Sequence, residues 1–283
     1  MHRYIVQLIM LFSVAFSSGW VGLTSDSPKS VKPTVLSSTI KETYLDFQFE
    51  GYQMVEVQTP NGSEHVIDLV GGSSILDAGS PDLDQWTSSI VIPDEGTTSI
   101  EVISSEYRDY ENVMVAPSKG NLSRMINPDD VEYLYNDKYD QDSFYPGTLA
   151  ELRDPYIIRD LRGQTVVIYP LQYNPQTQTL RVYSDIQVKV TTSGSNGENA
   201  LYRTSAKRPL SREYNNIYSS LFLNYANDTR FEYVVDEGNM LIISYGDFMD
   251  EMQPLVDWKN RKGIPTEMVN VSSIGSSSAA IES

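Results

Sequence analysis

One long segment restricts the fold of this chain more than any other feature. Along residues 180–190, apolar residues recur at alternate positions, which is the spacing of a β-strand with one buried and one solvated face. The apolar positions are Leu180, Val182, Ile186, Val188 and Val190. Because a continuous apolar face has to be covered, the segment predicts a second sheet packed against the first.

Shorter strands are predicted along residues 41–192, which we expect to form one β-rich domain. Near its start, Leu45, Phe47 and Phe49 alternate with polar residues. Further strands are expected at 53–58, 64–69, 88–93, 99–104, 110–115 and 163–169, each bounded by Gly, Pro, Asp or Asn. The last of these is expected to pair with residues 180–190 through a turn at 174–177. Short, regularly spaced strands without long helical patterns between them predict an antiparallel β-sandwich.

The character of the sequence changes near Arg230. Residues 193–230 are interpreted as a linker, because they begin with a Ser- and Gly-rich stretch and contain one short amphipathic helix at 214–222. Residues 231–283 predict a βαβ unit with strands at 240–244 and 266–271 and a helix between them. On that helix, Leu255, Val256 and Trp258 are expected to face inward. So small a unit cannot close a core alone, so we expect it to be the incomplete start of an α/β domain.

Composition excludes several classes of function. The net charge of -17 repels phosphate, so nucleic acid is not expected as a partner. The chain has no cysteine, and its histidines are His2 and His65. By itself it therefore cannot supply a thiol nucleophile, a disulfide or a zinc site built from thiolates and imidazoles. A Ser-His-Asp relay would have to use His65, which we interpret as a half-exposed strand residue because no partners converge on it in the sequence.

The beginning of the chain has the composition of an export signal. His2 and Arg3 precede an apolar run at 4–16, and small residues follow, so residues 1–19 are predicted to be a signal peptide. The run is shorter than the roughly 20 residues of a membrane-spanning helix, so we expect no stable membrane span after cleavage. The alternative is that the segment stays uncleaved as an N-terminal anchor. Residues 20–40, rich in Ser, Pro, Lys and Thr, are predicted to be an extended leader. The protein is therefore expected to be secreted or exposed at the cell surface.

Several short motifs in a fixed order give the chain a family resemblance. They are Val115-Ala116-Pro117-Ser118-Lys119-Gly120, Phe144-Tyr145-Pro146-Gly147, Arg159-Asp160-Leu161-Arg162-Gly163-Gln164, Leu171-Gln172-Tyr173-Asn174-Pro175 and Val256-Asp257-Trp258-Lys259-Asn260-Arg261-Lys262-Gly263. With these motifs the chain resembles the gingipains, secreted cysteine endopeptidases that have a caspase-like fold and an N-terminal pro-domain. The resemblance covers most of the chain after about Leu45. It rests on the spread of the motifs, since no single one would suffice.

The resemblance implies a role for each part of the chain. In the family, the pro-domain is an antiparallel β-sandwich that helps the protease fold and keeps it latent by placing a basic residue in the substrate pocket. The position that resembles this residue is Arg124, and the boundary with the catalytic domain corresponds to Arg230-Phe231. The implied partner is the cognate cysteine protease catalytic domain of the same chain. The catalytic Cys and His and the calcium sites of the family lie beyond Ser283, so the resemblance assigns no catalytic residue, metal ligand or cofactor to these residues.

Each assignment has a simpler alternative. Arg124 could be an ordinary loop arginine that happens to be sensitive to proteases. The acidic stretch at 129–142 could bind calcium through carboxylates, but it lacks the glycine and the terminal glutamate of an EF-hand loop, which favours a solvated loop. For the whole chain, the alternative is a non-enzymatic exported β-sandwich that binds a protein or glycan partner.

Overall fold

A computed structural model describes residues 19–202, 210, 212–225, 239–275 and 277. The chain divides into two compact units. Residues 1–204 and 219–227 form the first unit, and residues 205–218 and 228–283 form the second. Within the described residues, no helix is both long and apolar enough to cross a membrane.

Strands dominate the first unit. In chain order they are β1 (Gly19–Gly22), β2 (Thr34–Ser38), β3 (Glu42–Gln48), β4 (Gly51–Thr59), β5 (Gly62–Asp68), β6 (Ser73–Ser74), β7 (Asp84–Val91), β8 (Thr97–Tyr110), β9 (Ala150–Leu152), β10 (Tyr156–Ile158), β11 (Leu161–Ile168), β12 (Leu171–Asn174) and β13 (Thr179–Ser193). Helix α1 (Arg212–Leu221) contains residues of both units. The second unit continues with β14 (Met240–Ser244), α2 (Met249–Arg261), β15 (Thr266–Asn270) and α3 (Val271–Ile274). Short 3-10 helices lie at Pro128–Asp130, Asp137–Asp140 and Gly246–Phe248.

Strand β13 lies at the centre of one sheet, as its apolar periodicity predicts. It pairs antiparallel with β8 along one edge and with β12 and then β3 along the other, and β3 pairs in turn with β2. The predicted apolar face is buried, with no side chain more than 3% exposed among Leu180, Val182, Ile186, Val188 and Val190. The alternating pattern therefore identified the central strand correctly.

Two further sheets complete the core of the first unit. One has the order β10-β11-β7-β6, with β9 also paired to β11, and the other has the order β1-β4-β5. A single apolar cluster joins all three sheets and includes Phe47, Met54, Ile67, Ile90 and Val166, each of them fully buried. The predicted antiparallel, mainly β architecture is confirmed.

The strand pairing differs from the prediction in two places. Residues 163–168 lie in β11, whose partners are β7, β9 and β10 and not β13. Pro170, which has no N–H to donate, separates β11 from β12, and the short β12 forms the hairpin with β13 instead. In addition, the strands predicted at 99–104 and 110–115 are replaced by one continuous strand, β8, which ends at Tyr110.

The segment predicted to be an extended leader contains two strands. Strand β1 pairs with β4, and β2 pairs with β3. The indole Nε1 of Trp20 donates to the carbonyl of Ser25 at 2.9 Å, and the ring lies so close to Gly51 that a Cβ there would clash with it. Val31 is also part of the core. Pairing to the sheet edges, which the polar composition does not indicate, orders this segment.

Residues 193–202 are fixed to the first unit, although their composition predicts a flexible linker. The guanidinium of the fully buried Arg162 donates to the carbonyls of Pro93, Gly96 and Glu198 at 3.0, 3.1 and 2.6 Å. One side chain in β11 therefore ties the loop after β7 and the segment after β13 together. Such a long-range contact leaves no trace in local composition.

The residues that follow α1 also belong to the first unit. The N–H of Leu223 donates to the carbonyl of Ser89 at 2.9 Å, beside strand β7. The buried side chain of Asn224 then accepts from the N–H of Val91 at 2.7 Å and donates to its carbonyl at 2.9 Å. Two consecutive residues therefore cover an edge of β7 that would otherwise present unpaired backbone groups.

The second unit contains the predicted βαβ motif. Strands β14 and β15 are parallel, and α2 connects them. Val256 is buried as expected, but Trp258 is 46% exposed and Leu241 is 55% exposed. Trp258 instead lies beneath the ammonium group of Lys262, which is 4.6 Å from the ring centroid. The prediction that Trp258 faces inward is therefore wrong, because only a narrow face of α2 is covered.

Candidate functional site: the Arg124 loop

Arg124 lies in a loop with three parts, which we call the upstream arm (residues 113–120), the crown (residues 121–126) and the downstream arm (residues 127–140). The upstream arm runs beside β5. The N–H of His65 donates to the carbonyl of Met114, and the N–H of Ala116 donates to the carbonyl of His65, both at 2.8 Å. On its other side, Ala116 accepts from the N–H of Asp82 at 2.8 Å. The upstream arm is thus held as if it were a strand, which fixes the point where the crown begins.

The upstream arm ends at a glycine that the geometry requires. The N–H of Ser118 donates to the carbonyl of Ser80 at 2.8 Å, and its hydroxyl oxygen accepts from the N–H of Gly120 at 3.2 Å. Gly120 has a φ of +76°, and a Cβ at this position would lie 2.9 Å from the Cβ of Ala78. Only glycine combines this left-handed backbone with so close an approach.

The downstream arm is attached through a tyrosine and a buried carboxylate. The hydroxyl of Tyr135 lies 2.6 Å from Oε2 of Glu64 and 2.9 Å from Oγ1 of Thr59. Burial, followed by the hydrogen bond to Glu64, raises the pKa of Tyr135 to about 12. Tyr135 therefore remains a neutral donor at physiological pH. This contact fixes the downstream arm to the β4–β5 hairpin.

Two more side chains of the downstream arm contact the same region. The amide nitrogen of Asn136 donates to Oγ of Ser80 at 2.8 Å, and its backbone N–H donates to the carbonyl of Gly79 at 3.0 Å. The hydroxyl of Tyr139 donates to the carbonyl of Val115 at 2.8 Å. Because Tyr139 joins the downstream arm to the upstream arm, the two arms form one rigid base.

The crown has little support of its own. The N–H of Ile126 donates to the carbonyl of Ser123 at 2.9 Å, which makes a turn with Arg124 and Met125 at its centre. Met125 is 92% exposed and Arg124 is also exposed. Within the part of the chain that the structure describes, Arg124 makes no hydrogen bond or ion pair, although acidic residues follow at 129 and 130. The crown therefore presents a free guanidinium at the tip of a well-anchored loop.

A lysine crosses the base of the crown. The ammonium group of Lys119 donates to the carbonyl of Pro128 at 2.7 Å and lies 4.2 Å from the ring centroid of Tyr133. It also lines an open cavity of about 610 Å³ between the end of β4 and residues 129–133. Two of the residues that line this cavity, Asp129 and Glu132, are acidic. A solvent-accessible depression with two carboxylates in its lining thus adjoins Lys119 at the base of the crown.

Asp82, whose N–H donates to Ala116 of the upstream arm, has two carboxylate neighbours, Asp68 and Asp84. Burial, followed by the charges of Asp68 and Asp84, raises the pKa of Asp82 to about 6. The pKa of Asp84 is also raised to about 6, mainly by burial, while hydrogen bonds from Leu69 and Ser74 oppose the rise. Burial raises the pKa of Asp68 as well. Burial and mutual repulsion thus both disfavour the ionised forms of these neighbouring carboxylates.

The remaining sequence candidates do not form a site. His65 is half-buried in β5, and neither nitrogen of its ring has a hydrogen-bond partner among the described residues. Among the described residues, no three His, Asp or Glu side chains are grouped as metal ligands. In the acidic stretch, Asp142 accepts a hydrogen bond from Asn174 at 2.9 Å. Arg230, Phe231 and residues 1–18 lie outside the described residues.

The sequence nominates Arg124 as a candidate, and it does not indicate the residues that hold its loop. Glu64 and Tyr135 are 71 positions apart, and nothing in their local patterns connects them. Lys119 and Gly120 lie in the Val115–Gly120 motif that contributes to the family resemblance, and this motif was the one signal that pointed to them. A motif can mark where a loop is anchored without showing what the anchor contacts.

Comparison with known proteins agrees with this architecture. Residues 26–230 match the family model described as Propeptide_C25. The chain belongs to the Propeptide_C25 family. Because the match covers the β-sandwich, the Arg124 loop and the residues up to 230, it accounts for all of the described first unit except its first residues.

The sequence relatives of this Propeptide_C25 chain are gingipains. It is 36% identical over 261 residues to gingipain R2 of Porphyromonas gingivalis, an alignment that covers 90% of this chain and 35% of the relative. It is 22% identical to Lys-gingipain of the same species, over 96% of this chain and 16% of the relative. The chain thus spans about a third or less of the length of these curated relatives. The predicted gingipain resemblance is confirmed.

Solved structures support the same assignment. The chain matches one chain of a complex of the Porphyromonas gingivalis RgpB pro- and mature domains with a TM-score of 0.64 and 36% identity, covering 69% of this chain and 97% of that one. A structure described as giving insight into the zymogenic latency of gingipain K matches with a TM-score of 0.54 and 22% identity, over 63% of this chain and 100% of that one. The second match supports the fold alone. The chain therefore carries the pro-domain portion of a gingipain-type precursor.

Proposed function

We propose that the first unit keeps a cysteine endopeptidase latent by offering the side chain of Arg124 to the substrate pocket of the enzyme. One observation carries the proposal. Arg124 is exposed at the centre of a turn and has no partner among the described residues, while both arms of its loop are fixed to the β-sandwich. A rigid base combined with a free, charged tip reduces the conformational entropy that is lost when the loop binds.

The chemistry of arginine suits this role. A guanidinium is planar, stays charged at all physiological pH values, and can bind a carboxylate through two parallel hydrogen bonds. An enzyme that accepts arginine needs an acidic residue in its pocket, and an arginine supplied by the pro-domain would occupy the same place as the substrate. The exposed side chains of Met125 and Ile126 add apolar surface beside the charge.

The partner in this proposal is the cognate catalytic domain in cis. The solved RgpB complex contains pro- and mature domains together, which supports such a partner for this chain. The parent enzyme would carry out acyl transfer through a thiolate activated by histidine. Since this chain has no cysteine, residues 1–283 supply the restraint and no thiol nucleophile.

Two further assignments belong to the same proposal. Arg230-Phe231 is the bond cut at activation, and the family match that ends at residue 230 supports this position. Export through the signal peptide at 1–19 would place the protein outside the cytoplasm, either secreted or at the cell surface. Cleavage after an arginine agrees with an enzyme that accepts the Arg124 side chain.

Inhibition of a related mature enzyme tests the role of Arg124. The full chain is titrated against the mature gingipain R1 of Porphyromonas gingivalis with an arginine substrate, and the Arg124→Ala variant is compared with Arg153→Ala. Arg153 is also exposed and forms only a surface ion pair with Glu151, so its loss should matter little. We expect Arg124→Ala to weaken inhibition by about 100-fold or more, which is typical of a buried charged contact at an interface. Equal inhibition by both variants would contradict the proposal.

A further inference from the structure

One side chain closes the base of the crown. Among the described residues, no backbone hydrogen bond joins residues 119–120 to residues 127–128, where the two arms come together. The connection is made by the ammonium group of Lys119, which donates to the carbonyl of Pro128 at 2.7 Å. The crown between these points contains one backbone hydrogen bond of its own, between Ile126 and Ser123.

The environment of Lys119 restrains a side chain that is usually mobile. Its ammonium lies 4.2 Å from the ring centroid of Tyr133, a position that favours a cation. Its hydrogen bond is charge-assisted, and such bonds are stronger than neutral ones. The same Pro128 carbonyl also accepts from the N–H of Val131 at 3.2 Å. The acceptor is therefore itself fixed within the 3-10 turn that starts the downstream arm.

Both ends of this link rest on the rigid base. On the upstream side, Lys119 lies between Ser118 and Gly120, whose backbone positions are fixed by Ser80 and by contact with Ala78. On the downstream side, the side chain of Asn127 accepts from the N–H of Asp129 at 3.2 Å and caps the turn that contains Pro128. Lys119 therefore joins two points across the crown that are each held by their own contacts.

We infer that Lys119 is a positioning residue that holds the Arg124 crown in the conformation that enters the enzyme. The inference rests on the proposed function of Arg124 and adds a residue to it. Without the link, the crown would sample more conformations, and ordering it on binding would cost affinity. Lys119 acts through the crown and needs no contact with the enzyme.

The experiment compares three variants of the full chain. Lys119→Met removes the donor and the charge but keeps most of the aliphatic stem, and Lys119→Arg keeps a charged donor at the same position. Lys138→Met is the matched control, because Lys138 lies in the downstream arm and its ammonium group makes no hydrogen bond or ion pair among the described residues. Inhibition of mature gingipain R1 and hydrogen exchange of the Ile126 amide, whose N–H makes the backbone hydrogen bond of the crown, are measured for each.

We expect Lys119→Met to weaken inhibition on the order of tenfold, a change typical of lost pre-organisation, and to speed exchange of the hydrogen-bonded Ile126 amide. Lys119→Arg should restore most of both properties, and Lys138→Met should change neither. Unchanged exchange in the crown of Lys119→Met would overturn the inference.

The two proposals can fail separately. If the wild-type chain inhibits through Arg124 but Lys119→Met inhibits equally well, the positioning role is wrong and the role of Arg124 stands. If the wild-type chain does not inhibit at all, the proposed function fails. The exchange measurement then still decides whether Lys119 holds the crown.

Discussion

The two units of this chain bury their apolar residues to very different extents. In the first unit, side chains from three sheets meet in one core, and Phe47, Met54 and Ile168 are completely buried. In the second unit, Leu241 and Trp258 remain about half exposed beside a two-stranded parallel sheet. Antiparallel sheets can close on one another within a unit, whereas a parallel pair with one helix covers a single face.

The Arg124 loop is attached to the unit whose core is the more completely buried of the two. The arms of the Arg124 loop are attached to β5, to the β4–β5 hairpin and to residues 78–82, all within the closed core unit. The crown can therefore be mobile only over a few residues. The contacts that hold the arms of the Arg124 loop therefore depend on the folding of the first unit.

A substitution in the core of the first unit should give the largest difference in stability between the two units. Phe47→Ala removes a fully buried aromatic side chain and should lower the free energy of unfolding of the first unit by about 3–5 kcal/mol. Val256→Ala, in the second unit, should leave that transition unchanged. Urea denaturation, followed by the fluorescence of Trp20 and Trp86 in a Trp258→Phe background, measures both. A shift of this transition by Val256→Ala would mean that the two units unfold together.

The next largest effect on stability is expected at Asn224, which attaches the segment after α1 to β7. Asn224→Ala leaves the buried N–H and carbonyl of Val91 without a partner, which should cost about 2–4 kcal/mol in the same unfolding experiment. Asn196→Ala, at an exposed position, serves as the control and should change stability by less than about 0.5 kcal/mol. A neutral Asn224→Ala would mean that residues 222–225 are not part of the stable unit.

The smallest expected effect is a dependence of folding stability on pH. The pKa of Asp82 is raised to about 6, so the folded state binds more protons than the unfolded state between about pH 4 and pH 6. This contribution to stability is complete below the unfolded pKa and is lost as the pH rises through about 6.

Asp82→Asn should therefore reduce the loss of stability between pH 5 and pH 8, by about 1–2 kcal/mol after allowance for solvent screening. Asp137→Asn, on the exposed 3-10 turn of the downstream arm, is the control. Chemical denaturation at both pH values gives the measurement. A wild-type chain that gains stability from pH 5 to pH 8 would contradict this description of the carboxylates.

The sequence predicted those parts of the fold that depend on local periodicity. The alternation in residues 180–190 identified β13 and its buried face, and the apolar run at 240–244 identified the parallel strand β14. The order of residues 20–40 and 193–202 was not predictable, because it depends on Trp20 meeting Gly51 and on Arg162 meeting carbonyls far away in sequence. Composition describes what a segment could do alone and carries no information about such partners.

The same limit applies to the candidate site. Arg124 is a candidate through family resemblance alone, since nothing in its own neighbourhood distinguishes it from an ordinary loop arginine. The contacts of Lys119, Glu64 and Tyr135 required the three-dimensional structure, because each joins parts of the chain whose local patterns are unrelated. The sequence thus indicated Arg124 as a candidate, and it did not indicate the residues that anchor its loop.

A competition measurement with a small pocket ligand tests whether the Arg124 side chain occupies the substrate pocket of the enzyme. If the Arg124 side chain occupies the arginine pocket of the enzyme, a small amidinium ligand such as benzamidine must compete with the full chain for mature gingipain R1. We predict that the apparent inhibition constant of the chain rises linearly with the benzamidine concentration, and that this dependence disappears in Arg124→Ala. Independent, additive inhibition by the chain and benzamidine would contradict the proposed role of Arg124.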